Sequence, residues 1–153
     1  MPRMYSDQTP GLPFMKMHGL GNDFVVFDAR AEAIDVTPAM AQAIGHRQFG
    51  VGFDQLAVLK RSDVADVDVD FWNSDGSTAG ACGNASRCIG RLMIQETGQS
   101  RVTLRTVRGI LPVEDAGNGL VSVNMGQPQL DWQDVPLARE VDLNALPIDG
   151  APG

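Results

Sequence analysis

The sequence is poor in the residues that build cross-linked or metal-bound folds, with two cysteines and two histidines in 153 residues. Cys82 and Cys88 stand six apart, too few for a disulfide framework and without the companion ligands of a zinc site, so no metal is expected. On a helix that spacing would hold their α-carbons about 9 Å apart, beyond bridging range. No apolar run approaches the roughly 20 residues a membrane-spanning helix needs, which excludes a membrane partner of that kind. Positive charge is scarce as well: twelve Lys and Arg against nineteen Asp and Glu leave a net charge of -7. Such a surface repels polyanions and argues against nucleic acid as a partner. The phosphate-cradling run G-x-x-x-x-G-K-[ST] is missing, and Gly19-Leu20-Gly21 alone is too weak to replace it. Repeats and low-complexity tracts are absent too. The opening MPRMYSDQTPGLPF breaks any apolar run with prolines and an aspartate, so it fits neither a secretory signal nor a transit peptide. A cytoplasmic protein with reduced thiols is expected.

What remains is 43% hydrophobic, enough for one compact domain with a core of its own. Residues 14–28, FMKMHGLGNDFVVFD, read as a hairpin of two apolar strands about the turn Gly19-Leu20-Gly21-Asn22. Thr37-Pro38 is a helix opening, with Met40 and Ile44 four apart on one face and the helix fading by Phe49-Gly50. QLAVLK, from Gln55 to Lys60, is the next strand. Val67, Val69 and Phe71 then alternate with Asp68 and Asp70, the pattern of a half-buried strand that Asn73-Ser74-Asp75-Gly76 ends. Ala85, Cys88, Ile89, Leu92 and Met93 fall on one helical face, and Gly98 supplies a left-handed stop. RVTLRTV, ILPVE and LVSVNM follow as an antiparallel meander. Short-turned strands with one strongly patterned helix describe an α+β domain. Past Gly126 the prolines at 128, 136, 147 and 152 interrupt brief apolar fragments, the composition of an extended segment or linker.

Cys88 belongs to the apolar stripe and reads as a small hydrophobe. Cys82 comes just before the helix, where unpaired amides and the positive end of the macrodipole favour negative charge and thiols are commonly acidified. Two readings stand level on local pattern: a reactive thiol beside an anion site formed by the amides of Gly83 and Asn84, or a small buried residue near a turn. Asn22, Asp23, Gln55 and Asn73 each sit at a turn or strand end, where a structural role is the simpler explanation. His18 fits turn packing, and His46 fits a capping or solvated side chain at a helix end.

Together KMHGLGNDF (16–24), GFDQL (52–56), FWNSDGS (71–77) and CGNASRC (82–88) resemble the N-terminal half of the diaminopimelate epimerases, with four separated motifs in the family's order. The resemblance implies one of two similar halves, each a curved, mainly antiparallel sheet wrapped around a central helix, here the helix after Asn84. It implies an N-terminal extension over 1–14, the epimerase domain over 15–126, and a segment over 127–153 leading toward a second half. By the same resemblance the chemistry interconverts LL- and meso-diaminopimelate, in lysine and peptidoglycan biosynthesis, without pyridoxal phosphate or metal. One base works on each face of the carbon, and Cys82 matches one of the two thiols. Asn22, Gln55, Asn73, Gly83 and Asn84 match substrate-binding positions. Ala85 departs from the glycine found in many relatives, and the partner thiol belongs to the other half, for which Cys88 cannot substitute. The chain alone is therefore expected to be inactive, and to self-associate or form a homodimer through the apolar surface a missing half would cover. The alternatives are a non-catalytic half-domain that captures carboxylates, or a proline racemase-like enzyme.

Overall fold

A computed structural model of the chain describes residues 11–128, 130–134 and 137–142. Most of the expected N-terminal extension (1–10), and positions 129, 135–136 and 143–153 of the expected linker, lie outside the described residues. The hairpin forms as the sequence predicts, with β1 (Met15–Gly19) antiparallel to β2 (Asn22–Asp28). Its two-residue turn has positive φ at both Leu20 (56°) and Gly21 (85°), the mirror-image geometry whose twist suits a hairpin. Next come α1 (Pro38–Gly45), β3 (Gln55–Lys60), β4 (Val67–Asn73) and a two-residue β5 (Thr78–Ala79). The long helix α2 (Gly83–Thr97) precedes the meander β6 (Arg101–Thr106), β7 (Gly109–Gly117) and β8 (Leu120–Val123).

The strands make one sheet in the order β1-β2-β3-β4-β6-β7-β8, with β5 paired to β4. Five pairings are antiparallel, while β2–β3 and β4–β6 are parallel. Those parallel pairs need crossovers, and the two helices provide them. Helix α2 packs against β6 and β7 and also against both edge strands, β1 and β8, so the sheet curls around it. The fold is thus α+β with a curved, mainly antiparallel sheet about a central helix.

One correction to the sequence reading concerns α1. Two helices cover the sheet instead of one: α1, against β3 and β4, closes a second apolar cluster of Val25, Phe27, Phe53, Leu56 and Val58 on the outer face. The first cluster, around α2, takes the alternate residues Phe24, Val26, Ala57 and Leu59. Strands β2 and β3 are consequently buried on both faces, which is why FVVF and LAVL run apolar without alternation. Thr37 caps α1 through its Oγ1, which accepts from the Met40 amide at 3.2 Å. The helix stops at Gly45, short of Phe49, because His46 leaves helical geometry and its Nδ1 accepts from the amides of Gln48 and Phe49. His46 caps α1 with its backbone N–H, which donates to the Gln42 carbonyl, while its ring orders the turn that follows.

Helix α2 starts at the Cys82 N-cap and ends at Gly98, whose φ is 69°. Ala85, Ser86, Ile89, Gly90 and Met93 form its buried face. Cys88 and Leu92, expected on that face, lie partly buried at its margin. The stripe is rotated because Gly90 lets the helix approach β7, where a methyl group would overlap the side chain of Val113.

Candidate active site

Side-chain parity brings the three separated amides together. Asn22, Gln55 and Asn73 keep step, two residues at a time, with Phe24 and Val26, with Ala57 and Leu59, and with Phe71 and Val69, all of which face α2. The amides therefore project from the concave face of β2, β3 and β4. Because β3 runs parallel to β2 and antiparallel to β4, with Gln55 opposite both Phe24 and Asn73, they also share one end of the sheet. The N-terminus of α2 arrives at that same end.

There Cys82 Sγ lies 3.7 Å from Asn22 Oδ1 and donates to it, and the Cys82 side chain makes no capping bond to the helix. The first intrahelical bond runs from the Ser86 amide to the Cys82 carbonyl, so the amides of Gly83, Asn84 and Ala85 have no partner within the helix. Asn84 Nδ2 donates to Asn22 Oδ1 at 3.3 Å, and Arg87 donates to Asn84 Oδ1. The backbone of Gly19 passes so close that a β-carbon there would sit 3.3 Å from Asn84 Cβ. Gln55 Nε2 donates to Asn73 Oδ1 at 3.3 Å, while Asn73 Nδ2 donates to Ser77 Oγ at 2.9 Å. Gln55 Oε1 is buried and has no hydrogen-bond partner among the described residues. A cleft of about 770 Å³ opens beside Ala81, edged by Arg108, Met125 and Asp134.

All six positions singled out in the sequence thus gather at one sheet end. Cys88 stays apart, its Sγ donating to the His18 carbonyl at 3.4 Å, and burial pushes its thiol up. The sequence reading assigned no role to Asp54, Arg47 and Arg87. Asp54 Oδ2 accepts from Asn22 Nδ2 at 2.9 Å and from the Asp23 amide at 3.1 Å, and Arg47 bridges Asp54 and Asp23. Only Arg87, three residues past Asn84 on one helical face, could have been found from spacing.

Arg47 is 58% exposed, so its ion pairs add little stability. They do act on Asp23. The hydrogen bond from Arg47, helped by Lys16 and opposed by partial burial, holds its carboxyl well below the usual carboxylate range. A carboxyl lowered on folding stabilises the folded state above its unfolded value of about 4 and loses that contribution as pH falls through the folded one. Urea midpoints from pH 7 down to pH 2 are expected to drop less steeply at the acid end for Asp23→Asn than for the parent chain.

The profile of the family described as diaminopimelate epimerase matches residues 14–130. The chain belongs to the diaminopimelate epimerase family. Among family members, the diaminopimelate epimerase of Acidiphilium cryptum is 52% identical over 88% of this chain and 48% of its own length. That of Gluconobacter oxydans is 48% identical over 92% and 53%. The chain spans about half the length of the curated relatives it matches. Among solved structures, a hydroxyproline epimerase from Agrobacterium vitis aligns with a TM-score of 0.53 at 14% identity, over 72% of this chain and 40% of that one. A methylitaconate-delta-isomerase aligns with a TM-score of 0.50 at 21% identity, over 77% and 67%. At those identities the likeness concerns the fold: the diaminopimelate epimerase family's curled sheet about a helix recurs in both.

Proposed function

We propose that this chain is one half of a cofactor-independent diaminopimelate epimerase and that Cys82 supplies one of its two thiols. The observation that carries the reading is the half-buried Cys82 sulfur at the tip of α2, within reach of Asn22 and next to amides that the helix leaves unpaired. As a thiolate, Cys82 takes the α-proton of one stereoisomer, and a thiol of the second half delivers a proton to the opposite face. The electron pair released by the C–H bond spreads into the α-carboxylate, which the amides of Gly83, Asn84 and Ala85 stabilise. The reverse reaction exchanges the two sulfur roles. Asn22, Asn84, Gln55 and Asn73 bind the substrate's polar groups, and the unpaired Gln55 Oε1 suits an ammonium donor. The same reading places the reaction in the cytoplasm, in lysine and peptidoglycan biosynthesis, with the domain at 15–126 and the following segment leading to the second half.

The test compares two samples in D2O with LL-diaminopimelate. Mixed with or fused to the second half of the Acidiphilium cryptum relative, the chain is expected to yield deuterated meso product. Alone, it lacks the opposite-face group, and general acid–base catalysis by one such group contributes about 10²–10⁴-fold. Its rate is expected to fall by at least that factor. Tight binding of diaminopimelate without any α-proton exchange in the joined form, unchanged by Cys82→Ser, would assign the site to carboxylate capture.

A further inference from the structure

We propose that Asp54 is a positioning residue: it decides which end of the Asn22 amide meets Cys82, and presents the oxygen. The inference takes Cys82 as the reacting group, as proposed above. An asparagine side chain has nearly the same shape either way round, so its partners choose its orientation. Asn22 has a carboxylate at one end, Asp54 Oδ2 at 2.9 Å, and a carboxylate only accepts. Its nitrogen must turn there. At the other end stand Cys82 Sγ at 3.7 Å and Asn84 Nδ2 at 3.3 Å, both donating to Asn22 Oδ1. Asn84 is itself oriented, because Arg87, which can only donate, takes its oxygen.

The result is a one-way chain of hydrogen bonds, Arg87 to Asn84 to Asn22 to Asp54, with a cation at its head and an anion at its foot. Reversing Asn22 would set oxygen against carboxylate and NH2 against NH2. Asp54 is held to this task by three further contacts. Its Oδ2 accepts the Asp23 amide at 3.1 Å, its Oδ1 accepts from Arg47 at 2.6 Å, and its own amide donates to Asp23 Oδ1 at 3.1 Å. The carboxylate thereby ties the start of β2 to the start of β3, at the sheet end where the thiol sits. The consequence falls on the sulfur. An oxygen facing Cys82 accepts a hydrogen bond from its S–H, whereas a reversed amide would aim its NH2 at the sulfur.

Alkylation by iodoacetamide at pH 7, with Cys82 and Cys88 resolved by peptide mass mapping, reads this without any substrate. In Asp54→Asn the Asn22 amide is free to turn, and Cys82 is expected to alkylate about tenfold faster, the equivalent of one hydrogen bond changing sides. Asp54→Glu, which keeps the carboxylate, is expected to restore the slow rate. Adding Asp54→Asn to Asn22→Ala is expected to change nothing further, since the group being positioned is gone. An unchanged rate in Asp54→Asn, or an equal acceleration in the Asn22→Ala background as a bare charge effect would give, overturns the proposal. Should Asp54→Asn fail to fold, the unsubstituted chain still decides. Nuclear Overhauser contacts from the Asn22 side-chain NH2 are expected to the Asp23 backbone N–H, which shares its acceptor, and contacts to the Cys82 β-protons instead would overturn the assignment. These readouts use the chain alone, so an inert joined enzyme would sink the epimerase reading and leave this one standing.

Discussion

Replacing Cys82 by alanine in the joined two-half enzyme will lower kcat for epimerisation by about 10²–10⁴-fold, with a much smaller change in KM. The separation follows from where the contacts lie. In the proposed reading the carboxylate would meet backbone amides of α2 and the remaining polar groups Asn22, Gln55 and Asn73, none of which the substitution removes. Only the proton transfer on one face is lost. The thiol of the second half keeps its own face, so it can still remove and return the proton of one stereoisomer. The variant is accordingly expected to exchange deuterium into that isomer without inverting it, and to leave the other untouched. Mass spectrometry of each isomer after incubation in D2O checks both halves of the statement. Equal exchange into both isomers, or full retention of kcat, would remove Cys82 from the reaction.

How far the site could be read in the sequence depends on how local each signal is. Helix α2 and the place of Cys82 just before it were legible because α2 carries its own amphipathic period and Gly98 stop, although local pattern left the role of that thiol open. The longer strands were equally plain, while the two-residue β5 carried no signal of its own. What stayed hidden was pairing. Nothing in FVVF or LAVL says that β2 lies beside β3 in parallel, yet that register puts Asn22 and Gln55 at one end of the sheet. Their unbroken apolar runs did carry the hint that both faces are covered, and so that a second helix packs outside. The Asp54 contact was illegible for the same reason, since Asn22 and Asp54 are 32 residues apart and meet only once β2 and β3 pair. Residues matched to a family motif were found one at a time. The charges that orient them were not, because a carboxylate in GFDQL looks like any surface aspartate until its neighbour is known. Asp68 shows the limit of alternation in the same way: its place opposite Val67 and Val69 predicted exposure, but pairing with Arg105 on β6 nearly buries it.

The stability of the whole assembly should turn on Ile89. It is fully buried at the middle of α2, inside the cluster that joins the helix to the concave face. Ile89→Ala is expected to cost about 2–5 kcal/mol, and toward the upper part of that range. Such costs depend on how far the surroundings can collapse into the cavity, and here they have little room. The helix is gripped by β1 and β8 at the two edges of the sheet as well as by β6 and β7, so it cannot settle toward one side without leaving another. One turn of the helix already lies as close as packing allows, since even a methyl at Gly90 would overlap Val113. Gly90→Ala therefore serves as the opposite probe: its gain in helix propensity of about 1 kcal/mol is outweighed by about 1–3 kcal/mol of overpacking. Ile89→Val keeps most of the volume and should cost only about 0.5–1.5 kcal/mol. Urea midpoints order the three variants directly. A domain of this size has about 5–15 kcal/mol in total, so Ile89→Ala alone brings it near the threshold of folding. The loss would reach the chemistry too, because the helix that Ile89 anchors is the one whose tip holds Cys82. If Ile89→Ala and Ile89→Val unfold at the same urea concentration, the sheet does not grip α2 as described, and the helix tip is free to shift relative to Asn22.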